Sequence, residues 1–125
     1  KWGAISASSA MVLSSHGENF GVALVEALSC SKPVLTTYKV NIYKEILESK
    51  AGFIAKNDAT SFAKILKKFS RLNKNSLKKL SNNSLYCLIN EFFGLYINIT
   101  IKNLHHIIHL PGSMHLINLH IITIN

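Results

Sequence analysis

The chain is short of acid. Its 125 residues hold six Asp and Glu against fourteen Lys and Arg, a formal net charge of +8 with histidine neutral. Cysteine and proline are also scarce, two of each. Cys30 and Cys87 stand far apart with no metal-ligand spacing, so both are expected to be reduced, with Cys30 packed near a helix end. The opening residues, Lys1-Trp2-Gly3-Ala4-Ile5, lack the long apolar core of a secretory signal. In the C-terminal tail Pro111-Gly112 parts two apolar runs, and neither reaches the roughly 20 residues of a membrane span. A cytoplasmic location is the default expectation. Five of the six histidines lie in that tail. His105 and His109 would share one helical face, but no acid or thiolate stands beside them, so no metal site is expected.

The want of acid is sharpest between residues 64 and 79. Lys64, Lys67, Lys68, Arg71, Lys74, Lys78 and Lys79 follow one another with no carboxylate among them. Phe62, Ile65, Leu66 and Phe69 recur at i, i+3, i+4 and i+7, which predicts a helix that buries one stripe and leaves lysines on the other side. A solvated face and a face drawn to an anionic membrane surface both fit that pattern. Nucleic acid is not expected as a partner, because no exposed aromatics interleave with the charges and no reading motif is present.

What is present suits one α/β domain. Nearly half of the residues are apolar, enough for a real core, and the length allows one ordinary domain at most. The pattern predicts a strand near 10–14, a helix near 20–30, a strand Pro33–Thr37, a helix Ile42–Glu48, a strand Gly52–Ala55 and helices at 59–70 and 75–90. Asp58 is the expected N-cap of the helix starting at Ala59. Strands alternating with helices imply a parallel sheet with helices on its faces. The domain is expected to occupy 1–93, with a divergent tail over 94–125.

The most telling stretch is Ser15-His16-Gly17-Glu18-Asn19-Phe20-Gly21-Val22-Ala23-Leu24-Val25-Glu26-Ala27-Leu28. A strand end feeds a polar loop and then a helix, which sets the loop at the carboxyl edge of the sheet, where open α/β sheets bind ligands. The first N–H groups of that helix can donate to an anion or hydroxyl, and Gly21 lets the backbone approach closely. Two carboxylates eight positions apart span roughly 12 Å if helical. One glycosidic bond needs its acid/base pair about 5 to 9.5 Å apart, so two separate hydroxyl-bearing groups of a long polar ligand fit better. Glu26, in a helix otherwise made of Val, Ala and Leu, needs a partner.

Here the residues resemble a known family. Glu18, seven residues and Glu26, within S-H-G-E-N-F-G-V-A-L-V-E-A-L-S-C-S-K-P-V-L-T-T, are similar to the signature of the retaining nucleotide-sugar glycosyltransferases of family 4, also called group 1, which have the GT-B fold. The likeness runs on through Lys39-Val40-Asn41-Ile42, Glu45-Ile46, Gly52-Phe53 and Asp58 to Phe69, covering roughly 5 to 93. It implies a partial Rossmann-like parallel sheet with flanking helices, the distal half of the C-terminal domain. It also implies transfer of a sugar from a nucleoside-diphosphate sugar to a hydroxyl acceptor, with no cofactor.

By the same resemblance Glu18 is the catalytic candidate and would hydrogen-bond the donor sugar. Asn19, Phe20, Gly21 and Val22 would hold sugar hydroxyls or phosphate, and Glu26 the ribose hydroxyls. Val40 and Asn41 are secondary candidates in a loop at the same edge. No covalent nucleophile is evident. Ser14 stands where the family commonly has a proline and Ser31 where it has a helix-ending glycine. A serine forced to positive φ there costs about 1 kcal/mol. The upstream glycine-rich turn, the diphosphate-binding Arg/Lys pair and the acceptor half have no counterpart here. The chain is therefore expected to be the donor-binding piece of a larger enzyme, inactive alone, with the acceptor held by an N-terminal domain and peripheral contact at the inner membrane face. The alternatives left open are a non-catalytic truncated remnant and a basic interaction module for membrane or nucleic acid.

Overall fold

The computed structural model describes residues 1–15, 21–93 and 97. Eight elements follow in chain order: α1 (Trp2–Ala7), β1 (Met11–Leu13), α2 (Val22–Ser29), β2 (Val34–Thr37), α3 (Tyr43–Glu48), β3 (Gly52–Ala55), α4 (Ala59–Ser70) and α5 (Lys74–Glu91). The strands form one parallel sheet in the order β1-β2-β3, with Met11 opposite Val34 and Val34 opposite Gly52. This is the α/β fold with a parallel sheet and flanking helices that the alternation implies. The expected helix and strand positions agree with these elements to within a few residues, and α1 is an element that the sequence pattern did not mark.

Successive residues of a strand point to opposite faces, and the core divides accordingly. Val34, Met11, Leu13 and Ile54 pack with α2, α3, α5 and Ile5 of α1, while Leu35, Phe53 and Ala55 pack with Phe62, Ile65 and Phe69 of α4. All four residues of β2 are buried, as a central parallel strand covered on both faces requires. The hydroxyls it buries are satisfied: Thr36 Oγ1 donates to the Leu13 carbonyl at 2.8 Å and Thr37 Oγ1 to that of Ser15 at 3.2 Å. Both threonines thereby tie the exit of β1 to the end of β2. Helix α5 packs across α2 and α3, behind the face that carries the larger core.

Two helices begin on side-chain caps. Asp58 Oδ1 accepts from the Ser61 N–H at 2.7 Å, the cap expected for α4, and Asn73 Oδ1 accepts from the Ser76 N–H at 2.8 Å at the start of α5. Hydrogen bonds from Ser61 hold the Asp58 carboxyl below its ordinary 3.8, with smaller help from Lys56 and Lys64. A carboxyl lowered in this way stabilises the fold above its unfolded value, and that contribution is lost as pH falls through the folded value. Asp58→Ala is accordingly expected to lower the urea midpoint at pH 7, with the deficit shrinking below pH 3.8. Asn73→Ala, with no charge to titrate, is expected to cost about 1 kcal/mol across the same range. A deficit in Asp58→Ala that stays constant with pH would contradict the assignment.

Candidate active site

The carboxyl ends of β1, β2 and β3 lie along one edge, and the segment leading from β1 to α2 starts there. Glu18, Asn19 and Phe20 lie outside the described residues; Gly21, Val22 and Glu26 are described. Gly21 caps α2 with φ 64 and ψ 46, the left-handed conformation that glycine adopts without strain. Its carbonyl accepts the first two helix bonds, from Leu24 at 2.8 Å and Val25 at 3.3 Å. The N–H groups of Val22 and Ala23 precede that ladder. Among the described residues no side chain caps α2, unlike α4 and α5, and its first turn has no acid. A helix start of this kind favours an anion or a row of hydroxyls.

Gly21 also has a packing reason to be glycine. A Cβ built there would stand 2.8 Å from Val40 Cγ1. Val40 is fully buried, so this secondary candidate is a wedge between the β2–α3 loop and the start of α2. Asn41, beside it, is exposed. On the same loop Tyr38 is half exposed, with its ring edge-on to that of Tyr43 at 5.1 Å.

Val22 and Glu26 are four residues apart and so share one face of α2, while Leu24, Val25, Ala27 and Leu28 of the same helix enter the core. Val22 is 51% exposed. Glu26, one turn along, has a side chain only 11% exposed, and it has the partner that burial demands: Lys1 Nζ lies 2.6 Å from Oε1. The ion pair sits at the rim, because the Lys1 side chain is 63% exposed. Lys1 immediately precedes α1, and no local pattern links it to a residue 25 positions away.

A groove of about 450 Å³ opens along the same carboxyl edge, on the α4 side of the sheet. Ser14, Thr37, Asn57 and Asp58 supply its polar rim, with Phe62 and Leu66 on the apolar side. Gly21, Val22 and Glu26 are not among its walls. The edge thus offers a polar slot over α4 and, over α2, a helix start with no side-chain cap among the described residues. The strand ends predict such a groove in general, but its walls come from three separate connections. Glu45, in the first turn of α3, has Oε2 buried without a hydrogen-bond partner among the described residues, where the positive end of the helix favours a carboxylate. Among the described residues no group of three or more His, Cys, Asp or Glu could hold a metal ion. His105 and His109 lie outside them.

A family model described as Glycosyl transferases group 1 matches residues 2–85, well over half of the chain. The chain belongs to the group 1 glycosyltransferases. Searches of curated proteins and of solved structures each returned no match. The matched span of this group 1 glycosyltransferase begins with α1 and takes in Lys1's neighbour Trp2, all three strands and most of α5. The family's chemistry is the transfer of a sugar from a donor to an acceptor. Among the described residues no helix is long and apolar enough to cross a membrane.

Proposed function

We propose that this group 1 glycosyltransferase chain supplies the donor grip of a retaining enzyme, as the distal half of the C-terminal domain of a GT-B fold. The donor is a nucleoside-diphosphate sugar and the acceptor a hydroxyl-bearing molecule bound by a separate N-terminal domain. The observation that carries this is the start of α2: a helix N-terminus with no side-chain cap among the described residues, behind a left-handed glycine, with a partly buried carboxylate one turn further on the same face.

Each part has a chemical task. The free N–H groups beside Gly21 and Val22 offer donors to the diphosphate or to sugar hydroxyls, and they are already oriented when charge grows on the leaving group. Glu18, with Asn19 and Phe20, grips the transferred sugar and holds its anomeric carbon towards the acceptor. Glu26 accepts from the ribose hydroxyls, about 6 Å further along the helix than Val22. The 125 residues alone are expected to transfer no sugar.

The seven cations from Lys64 to Lys79 are all exposed. On α4 and its C-cap residue, Lys64, Lys67, Lys68 and Arg71 recur at i, i+3, i+4 and i+7, opposite the apolar stripe, and Lys68 Nζ also covers the Phe53 ring at 4.7 Å. This stripe supports peripheral contact with an anionic membrane leaflet, on the cytoplasmic side.

The test is a calorimetric titration of nucleoside diphosphates and their sugars against the full parent chain, alongside a transfer assay. Glu18→Ala is expected to lower kcat about tenfold or more with little change in stability, and Glu26→Ala to weaken nucleotide binding about tenfold, as loss of a hydrogen bond to a charged group implies. Unchanged kinetics in both variants would remove these residues from the mechanism. Binding without any transfer by the parent would favour a non-catalytic remnant. Cosedimentation with phosphatidylserine vesicles that survives both substitutions would support the membrane contact, and equal sedimentation after Lys64, Lys67, Lys68 and Arg71 are all changed to Gln would refute it.

A further inference from the structure

Glu26 poses a question that its proposed role leaves open. A carboxylate whose side chain is 11% exposed has lost most of its water and needs a hydrogen-bonding partner in its place. A hydrogen-bond acceptor for two ribose hydroxyls must also be held in one orientation before the ligand arrives. Nothing on α2 itself does this. The Ser29 hydroxyl donates to the Glu26 main-chain carbonyl at 2.6 Å and leaves the carboxylate alone.

Lys1 meets both needs. Its ammonium is 2.6 Å from Oε1, and it also lies over the Trp2 ring, 5.7 Å from the centroid. The lysine head is thereby held between a carboxylate and an aromatic face, while the side chain as a whole stays largely exposed. It occupies one oxygen of Glu26. Oε2 has no hydrogen-bond partner among the described residues. The two oxygens of the acid are in this way divided: one is fixed to the cation, and one is left to accept.

We infer that Lys1 is a positioning residue for nucleotide recognition, acting through Glu26 by pinning Oε1 so that Oε2 is presented to a ribose hydroxyl. The inference rests on the reading of Glu26 as the ribose-binding acid. It goes beyond that reading by assigning a role to the start of α1, where Lys1 is the N-cap residue and Trp2 the first helical one. An exposed rim lysine that merely closed a surface ion pair would be worth little and would not distinguish one ligand from another. A lysine that orients an acceptor must affect ligands in proportion to the hydroxyls they offer.

That difference sets the experiment. UDP, ADP and GDP, and their 2′-deoxy forms, are titrated calorimetrically into the full parent chain as wild type, Lys1→Met, Lys1→Arg and Glu26→Gln, with circular dichroism to confirm folding of each. Lys1→Met is expected to raise the Kd of the ribonucleotides about tenfold, the scale of one charge-assisted hydrogen bond, and to change the 2′-deoxynucleotides far less. Lys1→Arg should restore most of the loss, since a guanidinium also donates to a carboxylate.

The outcomes separate cleanly. Equal weakening of ribo- and deoxynucleotides in Lys1→Met would mean that the lysine acts on the diphosphate directly, and would overturn the inference. Wild-type affinity in Lys1→Met, with Glu26→Gln still weakened, would overturn it too while leaving Glu26 in its proposed role. Wild-type affinity in Glu26→Gln would overturn the role of Glu26 itself, and the inference with it.

Discussion

Gly52→Ala is expected to abolish folding. Gly52 is the first residue of β3 and lies opposite Val34 of the central strand. A Cβ placed there would stand 1.8 Å from the Val34 carbonyl oxygen, 2.8 Å from its carbonyl carbon and 2.9 Å from its nitrogen. All three are main-chain atoms, so no rotamer change relieves the overlap; the strands themselves must part. β3 has nowhere to go. The Val34 N–H donates to the Ala51 carbonyl at 3.2 Å, the Ser84 hydroxyl donates to that same carbonyl at 3.3 Å, and the Asn83 amide holds the Lys50 carbonyl at 3.0 Å. The turn into β3 is thus clamped between β2 and α5. Separating the strands breaks the ladder and opens the larger core cluster at Val34 and Ala51, a loss of more than about 3 kcal/mol. Domains have only about 5–15 kcal/mol in total. A thermal melt followed by circular dichroism is expected to show no cooperative transition, and a native-like melt would refute the argument.

Gly3 is the internal control. It lies in α1, is exposed, and a Cβ there would meet nothing within 4 Å. Alanine at that position removes the entropic cost of glycine in a helix, so Gly3→Ala is expected to stabilise by about 0.5–1 kcal/mol. The same substitution therefore takes opposite signs at two glycines, and only the position of neighbouring backbone decides which.

Neither contrast is visible in composition, and this marks how far the sequence can be read. The bounds of β3 and α4 were legible because their signals are local: a glycine-led apolar run for the one, and a four-residue stripe behind an Asp cap for the other. Positive φ at Ser31 was legible too, since a serine stands where a helix-ending glycine is usual, and its φ is 56. The matching strain at Lys50, φ 53, gave no such signal. Helix α1 escaped notice because Trp-Gly-Ala-Ile-Ser-Ala has no periodic stripe; it is held by Ile5 and Trp2 against the core. Glu26 shows the division most clearly. That the acid needs a partner follows from its apolar neighbours, but that the partner is Lys1 depends on how two helices pack. Val40 shows the same division: its place in a loop at the ligand edge is legible, but its full burial beside Gly21 depends on how that loop packs on α2.

That packing gives Gly21→Ala two separable costs. The first is torsional: φ 64 is strained for any residue with a Cβ, by about 1–2 kcal/mol. The second is steric, since the new methyl would press on Val40 Cγ1 at 2.8 Å, with Leu24 Cδ1 and Ile42 Cδ1 behind it at 3.6 and 3.7 Å. Val40 is buried and cannot swing into solvent, so relief comes from sliding the first turn of α2 away from the β2–α3 loop. The N–H groups of Val22 and Ala23 move with that turn. Misplacing a donor by about 1 Å can cost on the order of a hundredfold in a preorganised site. Gly21→Ala is therefore expected to lose about 2–3 kcal/mol of stability and to bind nucleoside-diphosphate sugars more weakly than stability alone explains. The companion Val40→Ala separates the two costs. In the double variant the steric part disappears and the torsional part remains, so ligand affinity should recover further than the urea midpoint does, a coupling that a double-mutant cycle measures directly. Recovery of stability without recovery of affinity would mean that the left-handed turn itself, and not the Val40 contact, sets where the helix begins.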